Sequence, residues 1–280
     1  MAGKALVLGG GGSSGIGWLS GILYGLGEAG VDLSDADVVI GTSAGSTVGA
    51  QLASGRLTLR ELYERQLAEP TGELTARLGA ATMLRYAWSM LTSRTPEAYG
   101  RKMGRLALAA DTPDQATRRA SVKTRLVSPE WPDLPLRMPA VDTATGELRI
   151  FDKDSGVSLL DAMTASCAVP GVWPPVAIEG LRWMDGGIHS SANAHLAAGY
   201  ERVVVLAPMA AGVGPLASAA DQGRKLVEDG ARVVVITPDR AAKRSFGRNP
   251  LDPSVRAAAA RAGRSQAAAH AAEAAEVWKG

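Results

Sequence analysis

Residues 37–55 read DVVIGTSAGSTVGAQLASG. Val38, Val39 and Ile40 are a short β-branched apolar run, the composition of a strand buried on both faces, and the segment from Ala44 reads as a helix closing at Gly55. Between them stands Gly41-Thr42-Ser43-Ala44-Gly45. Small residues at Gly41 and Gly45 let the chain turn sharply from strand to helix while Ser43 occupies a strained backbone position. Its hydroxyl then lies at the positive end of the helix dipole, which favours a developing alkoxide. A serine so placed is a candidate nucleophile, and it needs a base. The chain has three histidines, His189, His195 and His270. His270 falls in an alanine-rich terminal segment, His195 in the apparent helix SANAHLAAG, and only His189 is near another motif.

Working outward, KALVLGG is a second strand, followed by the helix SGILYGLGEAG up to Gly30. LRMPAVDTATGELRIFD reads as a hairpin across Thr145-Gly146, and YERVVVLAP and GARVVVITP are β-branched strands, each preceded by a helical segment. Strands alternating with helices predict an α/β architecture, a mostly parallel sheet covered on both faces. From about 57 to 125 the apolar period becomes helical, with Leu74, Leu78, Ala81, Leu84, Trp88 and Leu91 on one stripe and Arg77, Arg85 and Arg94 interspersed. This is an amphipathic helix pair packed on the sheet, or a cap over a site. Asp252 and Pro253 begin a structural helix over about 252–278, with Gly263 its weak point. The expectation is one domain over 1–280, with its core at about 4–207.

Composition narrows the function. With 46% hydrophobic residues in 280, the chain can bury a full core. A net charge of +2, with Phe at 2 and Tyr at 5, argues against a nucleic-acid partner. The single cysteine, Cys167, excludes an intrachain disulfide and reads as a buried small residue, consistent with a cytoplasmic protein. No apolar run reaches the ~18 to 20 residues that span a bilayer, so membrane contact would be peripheral. Trp88, Met90 and Leu91, beside Arg85 and Arg94, are candidates for such an interfacial face.

LGGGGSSGIG carries Gly10-x-Gly12-x-x-Gly15 between strand and helix, the spacing of a dinucleotide loop. That reading requires an acidic residue closing the second strand, where Ile40-Gly41 stands instead, and a phosphate-binding P-loop requires Lys and Ser or Thr where Ile16-Gly17 follow. What remains is a run of small residues, Gly10, Gly11, Gly12 and Ser13, whose backbone N–H groups can form a nest that suits an oxyanion as well as a phosphate. The economical base is Asp185, standing after the apparent strand LRWM and before Gly186-Gly187. A carboxylate held there can take a serine proton where the oxyanion is well stabilised.

Together these stretches resemble the patatin-like phospholipase family, whose members combine a glycine-rich loop, a G-x-S-x-G elbow and a D-G-G or D-G-A motif. They occur here in that order, and TASCAVPGVWPPV is similar to the family's Ala-Ser-x-Ala-x-Pro segment ahead of the aspartate. The resemblance covers roughly residues 4 to 207. It implies a three-layer α/β/α fold, a Ser43–Asp185 dyad, an oxyanion hole around Gly11 and Gly12, an acyl-enzyme, and no metal or organic cofactor. The implied substrate is a lipid or other acyl ester. An acyltransferase or thioesterase on the same dyad, and a weakly active or non-catalytic lipid-binding protein, are the alternatives. The family commonly has Arg or Lys before the last glycine of its loop. This chain has Ser14 there, which leaves oxyanion binding to backbone dipoles.

Overall fold

The computed structural model describes residues 3–69, 73–212 and 214–280. Its strands are β1 (Lys4–Leu8), β2 (Val38–Gly41), β3 (Leu136–Asp142), β4 (Leu148–Phe151), β5 (Val176–Ile178), β6 (Leu181–Asp185), β7 (Arg202–Leu206) and β8 (Arg232–Ile236). The helices are α1 (Gly12–Glu28), α2 (Ala44–Ala53), α3 (Leu59–Leu67), α4 (Ala80–Leu91), α5 (Pro96–Ala109), α6 (Gln115–Lys123), α7 (Leu159–Ser166), α8 (Ala219–Glu228), α9 (Arg240–Ser245), α10 (Arg256–Ala267) and α11 (Ala271–Lys279). The strands form one sheet in the order β5-β6-β3-β2-β1-β7-β8, with β4 paired to β3 off that path. Strands β3, β2, β1, β7 and β8 run parallel, whereas β4, β6 and β5 join antiparallel beyond β3.

The sheet is apolar on both faces, as the β-branched runs predict. Leu6 and Leu8 of β1 face one core with Val204 and Leu206 of β7, while Ala5 and Val7 face the opposite core with Val203 and Val205. Helices cover each face, which gives three layers. No helix among the described residues is long and apolar enough to cross a membrane.

Register then sets the site. Leu8 pairs with both Gly41 and Leu206, so β1, β2 and β7 end together. The neighbours of β1 in the sheet, β2 and β7, lie on opposite sides of it, and a crevice outside the strand ends at such a switch point is where open α/β sheets bind ligands. Strand β3 continues past that edge. Ile40 pairs with Arg137, and three residues further along β3, at the level of Ser43, Ala140 pairs with Asp185. The antiparallel return of β6 therefore delivers the aspartate to the height of the serine.

Several expectations are corrected. SANAHLAAG is not an α-helix: Asn193 adopts a left-handed conformation, φ 51°, and only a single 3-10 turn, Ala194–Ala197, follows. Among the described residues, the segment between α2 and β3 holds four helices, not a pair. Gly263 is no weak point. A Cβ there would lie 2.4 Å from the Trp18 carbonyl oxygen, and one at Gly21 only 2.1 Å from that of Ala260, so α1 and α10 approach through glycine and alanine faces that no larger residue fits. The terminal helix is also broken, at the 3-10 turn Ala268–His270, into α10 and α11.

Candidate active site

Ser43 sits at the start of α2 with φ 54° and ψ −109°, a conformation costing about 1–3 kcal/mol in a non-glycine residue. The packing around it leaves no alternative. A Cβ at Gly45 would come within 1.9 Å of the Leu8 carbonyl oxygen, and one at Gly41 within 2.4 Å of that of Gly45. Both glycines of the pentapeptide are required by backbone-to-backbone contact.

The glycine loop lies against this elbow: a Cβ at Gly15 would be 3.1 Å from that of Ala44. Gly12 takes a left-handed φ of 61°, and α1 begins there. The Ser14 N–H donates to Pro250 O at 3.0 Å and the Gly15 N–H to Gly11 O at 2.9 Å. Gly10 is a correction to the expected set of oxyanion donors, because its N–H donates to Ser191 O at 2.7 Å and is not free. The N–H groups of Gly11, Gly12, Ser13 and Ala44 have no acceptor among the described residues. The Ser14 hydroxyl turns inward to Gly11 O at 3.1 Å.

Asp185 closes β6 and is 5% exposed. Its Oδ1 accepts the Gly187 N–H at 2.7 Å, while Oδ2 is buried with no hydrogen-bond partner among the described residues. Burial pushes the carboxyl up to about 6, against the opposing pull of the Ser43 hydroxyl, the Gly187 N–H and Arg118. The Ser43 hydroxyl is thus near enough to favour the ionised form without meeting hydrogen-bond geometry, as is common before substrate binds. Gly186 is needed because a Cβ would lie 2.4 Å from the Pro139 carbonyl oxygen. Gly10, Gly11, Gly12, Ser43, Asp185 and Gly187 all line one cavity of about 250 Å³, whose wall is completed by apolar side chains such as Leu78, Tyr86, Met90 and Ile188.

The histidines are elsewhere. His189 does not line this cavity; its ring lies against that of His195, with centroids 5.4 Å apart, and burial pushes both below their ordinary range. His270 stands in the break between α10 and α11, beside Gln266. Among the described residues no group of three or more His, Cys, Asp or Glu is arranged to hold a metal ion.

With this geometry in place, the patatin-like phospholipase family model matches residues 6–198. The chain belongs to the patatin-like phospholipase family. Membership supports a lipid acyl hydrolase at the level of the family. Among solved structures the chain is similar to VipD from Legionella pneumophila, at 16% identity and a TM-score of 0.41 over 88% of this chain and 53% of that one. It is also similar to the type III effector protein ExoU, at 15% identity and a TM-score of 0.41 over 98% of this chain and 53% of that one. The chain spans about half the length of these two proteins. Among curated proteins none matches.

The segment similar to the family's Ala-Ser-x-Ala-x-Pro stretch, and one residue that the sequence did not announce, complete this patatin-like site. Ser166, Cys167 and Ala168 contact Ser43 and Asp185 in succession. The Ser43 N–H donates to Ser166 Oγ at 3.3 Å, the Cys167 thiol to Ser43 O at 3.2 Å, and the Asp185 N–H to Ala168 O at 3.0 Å. Burial raises the Cys167 thiol to about 11, so it is an inert donor and not a second nucleophile. On the other side, the buried Asn193 amide reaches Thr42 Oγ1 at 3.1 Å, Gly186 O at 3.2 Å and Ser190 O at 2.8 Å, tying the elbow to the aspartate loop. The left-handed Asn193 was the available signal, since asparagine is among the few residues that take that conformation readily.

The Asp185 shift has a consequence for stability. Its folded pKa near 6 exceeds the ordinary 3.8, so its favourable contribution is complete only below about pH 4 and is lost as pH rises through 6. Ionised Asp185 therefore opposes folding at pH 7, by about 3 kcal/mol. Asp185→Asn keeps an acceptor for Gly187 and removes the charge. It is expected to raise the denaturation midpoint at pH 7, with the gain shrinking towards pH 4; urea denaturation across that range checks this, and a less stable variant at pH 7 would contradict it.

Proposed function

We propose that this protein hydrolyses lipid acyl esters through a Ser43–Asp185 dyad. The observation that carries the reading is that a strained, forward-thrust serine and a buried carboxylate with one unpartnered oxygen open onto the same apolar cavity. In the proposed reaction the acyl chain lies along Leu78, Tyr86, Met90 and Ile188. Ser43 Oγ attacks the carbonyl carbon while its proton passes to Asp185 Oδ2. The carbonyl π electrons move onto oxygen, which the free amides at the Gly11–Ser13 turn stabilise. Collapse expels the alcohol, which takes the proton from Asp185 and leaves an acyl-enzyme. Water then attacks with Asp185 again accepting the proton, and Ser43 departs with it.

Asp185 must be ionised to act as base, so turnover of a soluble p-nitrophenyl ester is expected to rise with pH through about 6 and level off above it. Ser43→Ala and Asp185→Asn should each lower kcat by ~10³-fold or more. Unchanged turnover in either variant would refute the dyad.

Helix α4 is read here as a cap with an interfacial face. Tyr86 and Met90 face the cavity, whereas Met83, Leu84, Trp88 and Leu91 are 54%, 72%, 68% and 80% exposed. Of the three residues expected at an interface, Met90 therefore belongs to the cavity, and Leu84 joins Trp88 and Leu91 on the outer stripe. Arg85, Lys102 and Arg105 line the same outer groove and supply positive charge towards anionic lipid. Replacing Leu84, Trp88 and Leu91 together by serine is expected to cut co-sedimentation with phosphatidylglycerol-containing vesicles several-fold and to leave turnover of a soluble ester unchanged. Equal co-sedimentation would refute the interfacial role.

A further inference from the structure

Arg118 of α6 is 2% exposed, and among the described residues its side chain forms no salt bridge or hydrogen bond. Its Nε and Nη1 are buried without partners. Nearby Arg125 differs, since Glu73 takes one of its nitrogens at 2.9 Å and also pairs with Arg256. An isolated buried cation is costly, and natural interiors seldom keep one without a use. The Trp173 ring lies 3.9 Å from the guanidinium carbon, which fixes the plane of the group without neutralising it. Burial, aided by Arg125, draws its pKa down to about 10, so Arg118 is still charged at neutral pH.

The position of this cation defines its role. Arg118 lines a small cavity together with Gly12, Ser13, Ser43 and Ala44, and that cavity measures about 30 Å³. The nucleophile and three backbone amides without acceptors thus share one small space with an unpaired guanidinium. A single water needs roughly 10–15 Å³, so the space beside Ser43 has room for an oxygen or two. Size favours the reaction's own oxyanion over a head group. The loop itself offers no charge, because Ser14 stands at its last turn with its hydroxyl directed back to Gly11 O.

We propose that Arg118 supplies the positive charge of the oxyanion pocket, its guanidinium donating to the carbonyl oxygen as that oxygen becomes negative. The assignment rests on the Ser43–Asp185 reading and adds a catalytic residue from outside the three motifs. When Ser43 Oγ bonds to the carbonyl carbon, the displaced π electrons reside on an oxygen held between the Gly12 and Ser13 amides and Arg118. They return to the carbonyl when the alkoxide leaves. The guanidinium keeps its protons throughout, and Asp185 alone carries the transferred proton.

The test is steady-state kinetics on a neutral soluble ester, p-nitrophenyl butyrate, with Ser43→Ala run beside the Arg118 variants. Arg118→Met is expected to lower kcat by ~10²-fold or more with KM within about twofold, since the lost interaction exists only in the transition state. Arg118→Lys, which keeps the charge but not the fork, should stay within about tenfold of the unaltered protein. Ethylguanidinium added to Arg118→Ala should restore part of kcat and do nothing for Ser43→Ala. Should Arg118→Met fail to fold, the Lys variant and the rescue decide the matter. The proposal is overturned if Arg118→Met keeps kcat within about threefold, if KM alone rises, or if a folded Lys variant is as slow as the Met or Ala variant without rescue. Any of these with Ser43→Ala still inactive would leave the hydrolase reading intact. Absence of turnover in the unaltered protein would overturn both.

Discussion

The site depends on one steric constraint, the close approach of the β1 and α2 backbones at Leu8 and Gly45. With less than a side chain's width between them, the chain leaving β2 must turn within a few residues, and Ser43 absorbs that turn with a strained positive φ. The strain persists because the surroundings over-determine it. Ser166 takes the serine's N–H, Cys167 donates to its carbonyl, and Ser46 Oγ binds both Ser166 Oγ, at 2.7 Å, and Gly41 O, at 2.6 Å. The small-residue run at 164–168 is therefore a clamp on Ser43, and through Ala168 it fixes Asp185 as well.

Around this rigid centre the interior tolerates two charges that folding alone would not select. Asp185 keeps one carboxylate oxygen without a partner, and Arg118 keeps most of its guanidinium so. They influence each other through space, each favouring the other's ionised form, yet they do not form a salt bridge among the described residues. Direct pairing would relieve both and disable both. Kept apart, both stay unneutralised, which the proposed mechanism uses by letting one hold a proton and the other meet an anion, and the surrounding packing offsets the cost.

The parts of this arrangement legible in the sequence were those written in local pattern. Val38–Ile40, Val203–Val205 and Val233–Val235 are strands because β-branched runs bounded by turn residues have little alternative, and Gly41, Gly45, Gly186 and Gly187 mark turns on composition alone. The rest is set at long range. Asn193 lies in a segment with helical composition, and it adopts a left-handed conformation because its amide is held by Gly186 of the preceding loop and by Thr42, far away in sequence. Gly263 reads as a flaw in a helix until α1 is laid against it. Gly10 looks like its neighbours, and only the approach of Ser191 takes its N–H out of the free set. Arg118 sits among other arginines in a helical stretch, and nothing local distinguishes it from a solvated one. Its burial follows from α6 packing beside α7 and over Trp173.

The central claim, that Asp185 activates Ser43, is tested most directly by reacting the protein with a fluorophosphonate and locating the adduct by mass spectrometry, with Asp185→Asn treated in parallel. An adduct is expected on Ser43 in the unaltered protein, with its loss, or a reduction of at least ~10²-fold in labelling rate, in the variant. Equal labelling of Ser43 in both proteins, or no adduct on Ser43 in either, would contradict it.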